Sequence, residues 1–451
     1  MVNAQAIKSH VRDQFGEFSY SKHREVVRLV YEIAKRENRD FRDILAAAAQ
    51  ESRQFSQIRQ NLIARRFPQA TQQSTVRPVL SELEIDSKNQ IQLKHPPTLT
   101  PKYFVVEESL LESPLVERLK QEYPHVKMET ISSYRDYTTK QKLTIAGYNR
   151  RLERFFIIRE NYDFYKRCAC SPKSVYCGYH IINLGSGCGF ECAYCYLQDY
   201  INSPGIVIPG NIEDFFDQFE NYKQDIRIGS GELTDSLIFD HITGFSPLIV
   251  NFFKKYPKST FEFKTKSVNI ANLLKVTPGN NIVVSWSMNP PEVIESTEYF
   301  TARLDERLKA AIQCMNAGYK LAFHFDPIIY YKSWEKDYKA LVDRIFDEID
   351  PERLAWISLG TLRMTTRLKK IIENRFDEHA ILNEEFLPGH DDKLRYPFHI
   401  RTHMYQQIKK WIQRRKSDVY IYLCMEEKAA CGVCETAPLK EFIKQPLHEG
   451  V

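Results

Sequence analysis

Apolar residues recur at helical spacing in the first part of the chain. In SKHREVVRLVYEIAKRENRD, Val26, Val27, Leu29, Val30 and Ile33 form a stripe among charged neighbours, which is the mark of an amphipathic helix. The pattern persists from Ser21 to Phe67, so residues 1–67 are expected to form a small helical region. Its arginines, among them Arg53, Arg59, Arg65 and Arg66, suit either phosphate contacts or a solvated helix face, and the solvated face is the simpler reading. From Pro68 to Lys102 the periodicity lapses into QATQQST and HPPTLTP. Residues 68–102 therefore read as a linker, with a larger domain over 103–451.

Beyond the linker, short apolar runs alternate with helical stretches. The expected strands are Tyr179 to Gly185, Asp225 to Ser230, Thr260 to Lys266, Asn281 to Asn289, Lys320 to Ile329 and Leu354 to Gly360. Helical segments such as SPLIVNFFKKY and LDERLKAAIQCMNAG lie between them, the second stopping at Gly318. Repeated strand-helix units predict an α/β fold of parallel strands with helices outside, either a doubly wound sheet or a barrel. In such folds the chemistry sits at the C-terminal ends of the strands.

Composition narrows this only a little. A chain of 451 residues, 43% hydrophobic and 27% charged, can bury a full core. Its start, MVNAQAIKSHVRDQF, is polar, and no apolar run approaches the roughly 20 residues of a membrane span. The expectation is a soluble, cytoplasmic protein. A net charge of +5 is a weak pointer to a polyanionic partner. Of ten cysteines, nine fall into two compact groups and only Cys314 stands alone, a distribution that argues against disulfides.

The first group carries the chemistry. GSGCGFECAYCYLQ sets Cys188, Cys192 and Cys195 in a C-x3-C-x2-C spacing within a glycine-rich loop after the first expected strand. Such a loop can wrap a [4Fe–4S] cubane so that three thiolates reach three irons, and backbone N–H groups can bond the sulfides. One iron is then left open to a ligand carrying an amine and a carboxylate. The alternative is a three-cysteine corner of a zinc site with its fourth ligand elsewhere, although a C-x3-C step after a strand is unusual for zinc knuckles.

These residues resemble the radical S-adenosylmethionine enzymes, and among them the spore photoproduct lyase family. The loop carries an aromatic residue, Tyr194, before its last cysteine. More specific are CAYCYLQ, KTKS (Lys264 to Ser267), SWSMNP (Ser285 to Pro290), HFDPIIYY (His324 to Tyr331), ISLGTLR (Ile357 to Arg363), KLRY (Lys393 to Tyr396) and YLCME (Tyr422 to Glu426). The resemblance runs from about residue 100 to the C-terminus and leaves the helical front end without a counterpart. It implies a partial (β/α)6 barrel of radical S-adenosylmethionine type with an N-terminal helical appendage.

The resemblance also implies cofactors and roles. Cys188, Cys192 and Cys195 would hold the [4Fe–4S] cluster, and Gly229, Gly231, Glu232, Lys266 and Ser287 would contact S-adenosylmethionine. The glycines allow close backbone approach, Glu232 can take the ammonium and Lys266 the carboxylate. The implied reaction cleaves S-adenosylmethionine reductively, gives a 5′-deoxyadenosyl radical and repairs a methylene-bridged thymine dimer in DNA. A reducing electron donor such as flavodoxin or ferredoxin would be its partner. Tyr194 and Tyr196 match tyrosines that relay the radical.

The sequence departs from the lyase in one respect: where that family has a hydrogen-donating cysteine after the second strand, this chain reads GSGELTDSLIFD. A radical enzyme of the same fold with a different substrate is therefore a second reading. A metal-stabilised nucleic-acid-binding protein without catalysis is a third. Cys168, Cys170 and Cys177 with Cys424, Cys431 and Cys434 form the second thiol group, a candidate for an auxiliary iron–sulfur cluster or zinc. The segment DDKLRYPFHIRTHMYQQIKKWIQRR mixes basic and aromatic residues, as exposed DNA bases would require, or as an amphipathic surface helix would.

Overall fold

The computed structural model describes residues 3–72, 76–141, 143–161, 165–171, 173–200, 203–222, 225–376 and 380–436. Parts of the expected linker (73–75) and of the C-terminal domain (437–451 among others) lie outside the described residues. The chain divides into two compact units. One holds Met1–Ile91, Ile329–Lys332 and Thr361–Arg401, and the other holds Gln92–Ile328, Ser333–Gly360 and Thr402–Val451.

The larger unit begins with β1 (Tyr103–Glu107), β2 (Lys127–Ile131) and β3 (Arg154–Ile158). The chain continues through β4 (Tyr165–Arg167), β5 (Tyr179–Ile182), β6 (Glu191–Cys192), β7 (Ile206–Pro209), β8 (Arg227–Gly229) and β9 (Thr260–Thr265). Next come β10 (Ile282–Ser287), β11 (Glu298–Tyr299), β12 (Lys320–Ile328) and β13 (Leu354–Thr361). It then passes through β14 (Arg363–Met364), β15 (Leu387–Pro388) and β16 (Leu394–Arg395) of the other unit and returns as β17 (Ile421–Leu423).

All six expected strands form, and they are neighbours in chain order within one sheet, β17-β13-β12-β10-β9-β8-β5-β4. The central strands pair in parallel, β17 extends one edge in parallel, and β4 closes the other edge antiparallel to β5. Helices Phe245–Phe253, Leu304–Asn316 and Trp334–Glu348 make the crossovers, as parallel pairing requires. The sheet is curled. Strands are about 4.8 Å apart, so β8 and β17, five places apart, would lie some 24 Å from each other in a flat sheet. Instead Arg227 on β8 bonds the Tyr422 hydroxyl on β17 at 3.0 Å, and Tyr179, Ile181, Val283, Ala322, Trp356 and Tyr422 share one core. This is the half-barrel that the resemblance implied. A second sheet, β2-β1-β3-β7, is parallel throughout, and its central strands β1 and β3 are mostly buried.

In the smaller unit, α1 (Ala4–Gln14), α2 (Tyr20–Glu37), α3 (Phe41–Ala48) and α4 (Phe55–Arg66) bury the expected stripe, with Val26, Leu29, Val30 and Ile33 fully covered. Asn38, in the left-handed region at φ 51°, ends α2, and the Asp40 carboxylate caps α3. The arginines serve the fold: Arg59 pairs with Glu25 at 2.6 Å, Arg65 with Glu37 at 2.5 Å, and Arg53 donates to the carbonyl of Gln14. Arg66 is buried against Glu32 at 2.8 Å, and Glu32 also takes Lys369 at 2.5 Å. Arg28 links Glu32 to Glu373. Thus segment 361–401 and the N-terminal helices are parts of one unit, whose first segment runs to Ile91. Among the described residues no helix is long and apolar enough to cross a membrane.

Candidate active site

The three-cysteine loop leaves the C-terminal end of β5, where parallel α/β folds place their chemistry. Two glycines let it turn: Gly185 at φ 153° and Gly187 at φ 97°. A Cβ on Gly185 would stand 2.5 Å from the carbonyl oxygen of Val207. That approach exists because Ser186 and Val207 exchange backbone bonds of 2.9 and 2.8 Å, which clip the loop to β7.

Two buried polar side chains then hold the loop by its carbonyls. Arg151 donates to the carbonyls of Cys188 and Phe190, both at 2.8 Å, and pairs with Glu191 at 2.6 Å. The Gln198 amide reaches the carbonyls of Cys192, Ala193 and Cys195 at 3.0 to 3.2 Å. The N–H groups of Ser186, Gly187, Ala193 and Cys195 bond protein carbonyls, so these are not the donors to a sulfide that the loop suggested.

Cys188 and Cys192 are buried and Cys195 partly so. Burial pushes the Cys188 thiol up to about 12, with Asp235 and Cys195 adding to it. Burial likewise raises Cys192 and Cys195. Among the described residues no three cysteine sulfurs lie within 4.8 Å of one another. A tetrahedral zinc, with Zn–S near 2.3 Å, would need its sulfurs about 3.8 Å apart. As placed, the three sulfurs are not gathered on a single ion.

Opposite the loop stands Glu298, which the sequence did not single out. Antiparallel pairing of β11 with β6 sets Glu298 across from Cys192. Its carboxylate accepts from the Tyr194 hydroxyl, from Asn289 at 2.8 Å and from Arg307 at 2.5 Å. Burial opposes its charge, but Arg307 and Lys266 outweigh that and hold it at about 2. Lys266, at the end of β9, lies 5.8 Å from the centre of the Tyr194 ring. Burial works against its charge as well, yet Glu298 and Cys192 keep it above the usual lysine range. Ser287, ending β10, is buried, and its carbonyl accepts from Arg307 at 2.8 Å. Cys192, Tyr194, Lys266 and Ser287 are thus assembled around one carboxylate.

The loop after β8 is organised by Asp235. Its carboxylate accepts from the N–H groups of Leu237, Ile238 and Lys266 and from the Thr265 hydroxyl, at 2.6 to 3.0 Å. Glu232 pairs with Lys166 at 3.2 Å, and its carbonyl accepts from Tyr196, whose ring is 42% exposed. Gly231 has room for a Cβ, its nearest neighbour being 3.7 Å away. At Gly229 the space is already taken by the Tyr179 hydroxyl and the Glu262 carbonyl, the latter 2.6 Å from a Cβ. Packing by itself already requires a glycine there.

Most of the basic and aromatic segment is engaged within the fold. Tyr396 and Trp411 are buried, Arg395 is held by Asp391 at 2.9 Å, Arg415 by Asp347, and Lys409 by the carbonyls of Cys434 and Glu435. Phe398 is its one clearly exposed ring among those singled out.

A parallel sheet curled into a half-barrel, with a buried three-thiol loop at the C-terminal end of its first parallel strand, defines the class as an α/β half-barrel protein. The family model for spore photoproduct lyase matches residues 99–407, and the chain belongs to that family. It is 28% identical over 222 residues to the spore photoproduct lyase of Clostridium acetobutylicum, a match covering 48% of this chain and 64% of that protein. With the spore photoproduct lyase of Bacillus subtilis the identity is 25% over 336 residues, covering 71% and 94%. A solved variant of spore photoproduct lyase with bound AdoMet and dinucleoside spore photoproduct superposes with a TM-score of 0.61. That match is 22% identical and covers 73% of this chain and 100% of the other.

Proposed function

We propose that this chain is a radical S-adenosylmethionine enzyme of lyase type that repairs a thymine photolesion in DNA, with its electron supplied by a flavodoxin or ferredoxin. The observation that carries the reading is the buried Cys188–Cys192–Cys195 loop facing Glu298, Lys266 and Tyr194. The family and the solved relative's AdoMet and dinucleoside photoproduct support it.

On this reading the three cysteines hold the [4Fe–4S] cluster, and Gly229, Gly231, Glu232, Lys266 and Ser287 are the contacts of S-adenosylmethionine. When bound, the pair supplies reductive cleavage of the sulfonium and a carbon radical able to abstract hydrogen. The chain's own part is to orient and to exclude water. Arg151 and Gln198 fix the loop through its carbonyls, so that the thiols are presented at constant spacing. Tyr194 has a ready acceptor for its phenolic proton in the ionised Glu298. Tyr196 stands further out on the Glu232 carbonyl, and the two tyrosines serve as the relay for a hydrogen atom.

Residues 229–240 contain no cysteine, and this favours a second reading in which the same chemistry acts on another substrate. One experiment separates the two. The protein is reconstituted anaerobically with iron and sulfide, and 5′-deoxyadenosine and restored thymine are quantified with and without ultraviolet-irradiated DNA. Repair predicts both products and their loss in Cys192→Ala. 5′-Deoxyadenosine without restored thymine selects the second reading, and neither product overturns both.

A further inference from the structure

The second thiol group gathers at a different place from the first. Cys168 follows β4, and its N–H bonds the carbonyl of Tyr179 at 2.9 Å. Cys170 folds back so that its N–H meets the Cys168 carbonyl at 2.8 Å and the two thiols are hydrogen-bonded. Cys177 is buried at the entrance of β5, and Cys424 follows β17 with its N–H on the Leu359 carbonyl. The segments are far apart in sequence, yet Val175 bonds the Glu426 carbonyl at 2.8 Å and Ser174 bridges Glu427. Cys168, Cys177 and Cys424 consequently pack on one core with Tyr179, Trp356 and Tyr422. Cys431 and Cys434 are not part of it, since the Cys434 thiol turns to the Thr402 carbonyl at 3.8 Å.

A second observation points to a ligand there. The same core holds buried hydrogen-bond donors without a hydrogen-bond partner among the described residues: Nε and Nη1 of Arg227, the Tyr179 hydroxyl and Nε1 of Trp356. Leaving such buried groups unsatisfied is costly, and a bound anion would relieve the cost. The Arg227 charge also favours the Cys177 thiolate, and the Lys264 charge that of Cys168. Positive charge and unused N–H and O–H donors beside convergent thiols are what an anionic, sulfide-bearing centre requires.

We propose that Cys168, Cys170, Cys177 and Cys424 hold a second iron–sulfur cluster, with Arg227, Tyr179 and Trp356 as donors to its sulfides. The site uses none of the three loop cysteines, so it can be tested with them removed. In a chain carrying Cys188→Ala, Cys192→Ala and Cys195→Ala, anaerobic reconstitution should leave iron with an equal amount of labile sulfide, about four of each per chain for a cubane. Adding Cys177→Ser and Cys424→Ser should remove both. Should the triple variant fail to fold, the intact chain is assayed directly, where about eight irons support the site and about four overturn it. Absence of iron from a folded triple variant, or zinc in its place, also overturns it.

Discussion

At the scale of single residues, the cluster loop depends on partners that carry no metal-binding signature. Arg151 is buried, and Arg151→Ala would take from the buried Glu191 its cationic partner at 2.6 Å and leave three carbonyls without their donor. Breaking a buried pair from one side typically costs about 3–5 kcal/mol. Urea denaturation should show a loss of that size, and iron content after reconstitution should fall with it. Tyr194→Phe makes the complementary case. It removes one donor from Glu298, while Asn289 and Arg307 remain. Stability should change by only about 1 kcal/mol. If Tyr194 relays a hydrogen atom, 5′-deoxyadenosine should still form while repaired product drops by about tenfold or more, equivalent to at least ~1.4 kcal/mol on that step. Equal loss of both products would remove Tyr194 from the relay.

At the scale of elements, the loop's position is set by the clip between Ser186 and β7. Gly185→Ala drives a Cβ against the Val207 carbonyl, and a backbone atom in a paired strand cannot move aside alone. The variant should lose about 1–3 kcal/mol, measured as a fall in Tm, and should load less iron. Gly231→Ala, with its nearest contact at 3.7 Å, should leave Tm unchanged. An altered KM for S-adenosylmethionine in that variant would then report a ligand rather than a fold effect. The six barrel strands were legible because each is a short apolar run between turn signals, and the cysteine spacing was legible because it is local. Glu298 was not, since a lone glutamate some 100 residues beyond the loop looks solvated until β11 pairs with β6. The two readings of the segment around Trp411 stayed open for the same reason: composition cannot tell a buried face of an amphipathic helix from an exposed one, and the ring is buried.

At the scale of the whole molecule, long-range charge pairs decide how the chain closes. Arg28, Glu32, Arg66, Lys369 and Glu373 join helices over 300 residues apart in sequence into one compact unit, which no local pattern announces. Inside the half-barrel, Glu262 joins strands in the same way. It takes Arg227 at 2.7 Å and Nε2 of His324 at 2.6 Å, while Nδ1 of His324 meets the Ser358 hydroxyl. Neutral His324 with its proton on Nε2 satisfies both contacts. Burial, reinforced by Lys264, lowers His324 to about 4 despite the Glu262 carboxylate. Glu262 is itself held below the usual carboxylate range, because Arg227 and His324 outweigh its burial. The signs agree. As pH falls below about 6.5 the unfolded chain protonates this histidine and the folded one resists, so stability declines down to pH 4, and Glu262 adds to the decline below about 4.5. The histidine contribution amounts to about 3 kcal/mol. His324→Gln, whose amide can still donate to Glu262 and accept from Ser358, should flatten the slope between pH 6.5 and 4.5. Urea unfolding at four pH values in that window is the check, and an unchanged slope in the variant would assign the acid sensitivity to other groups.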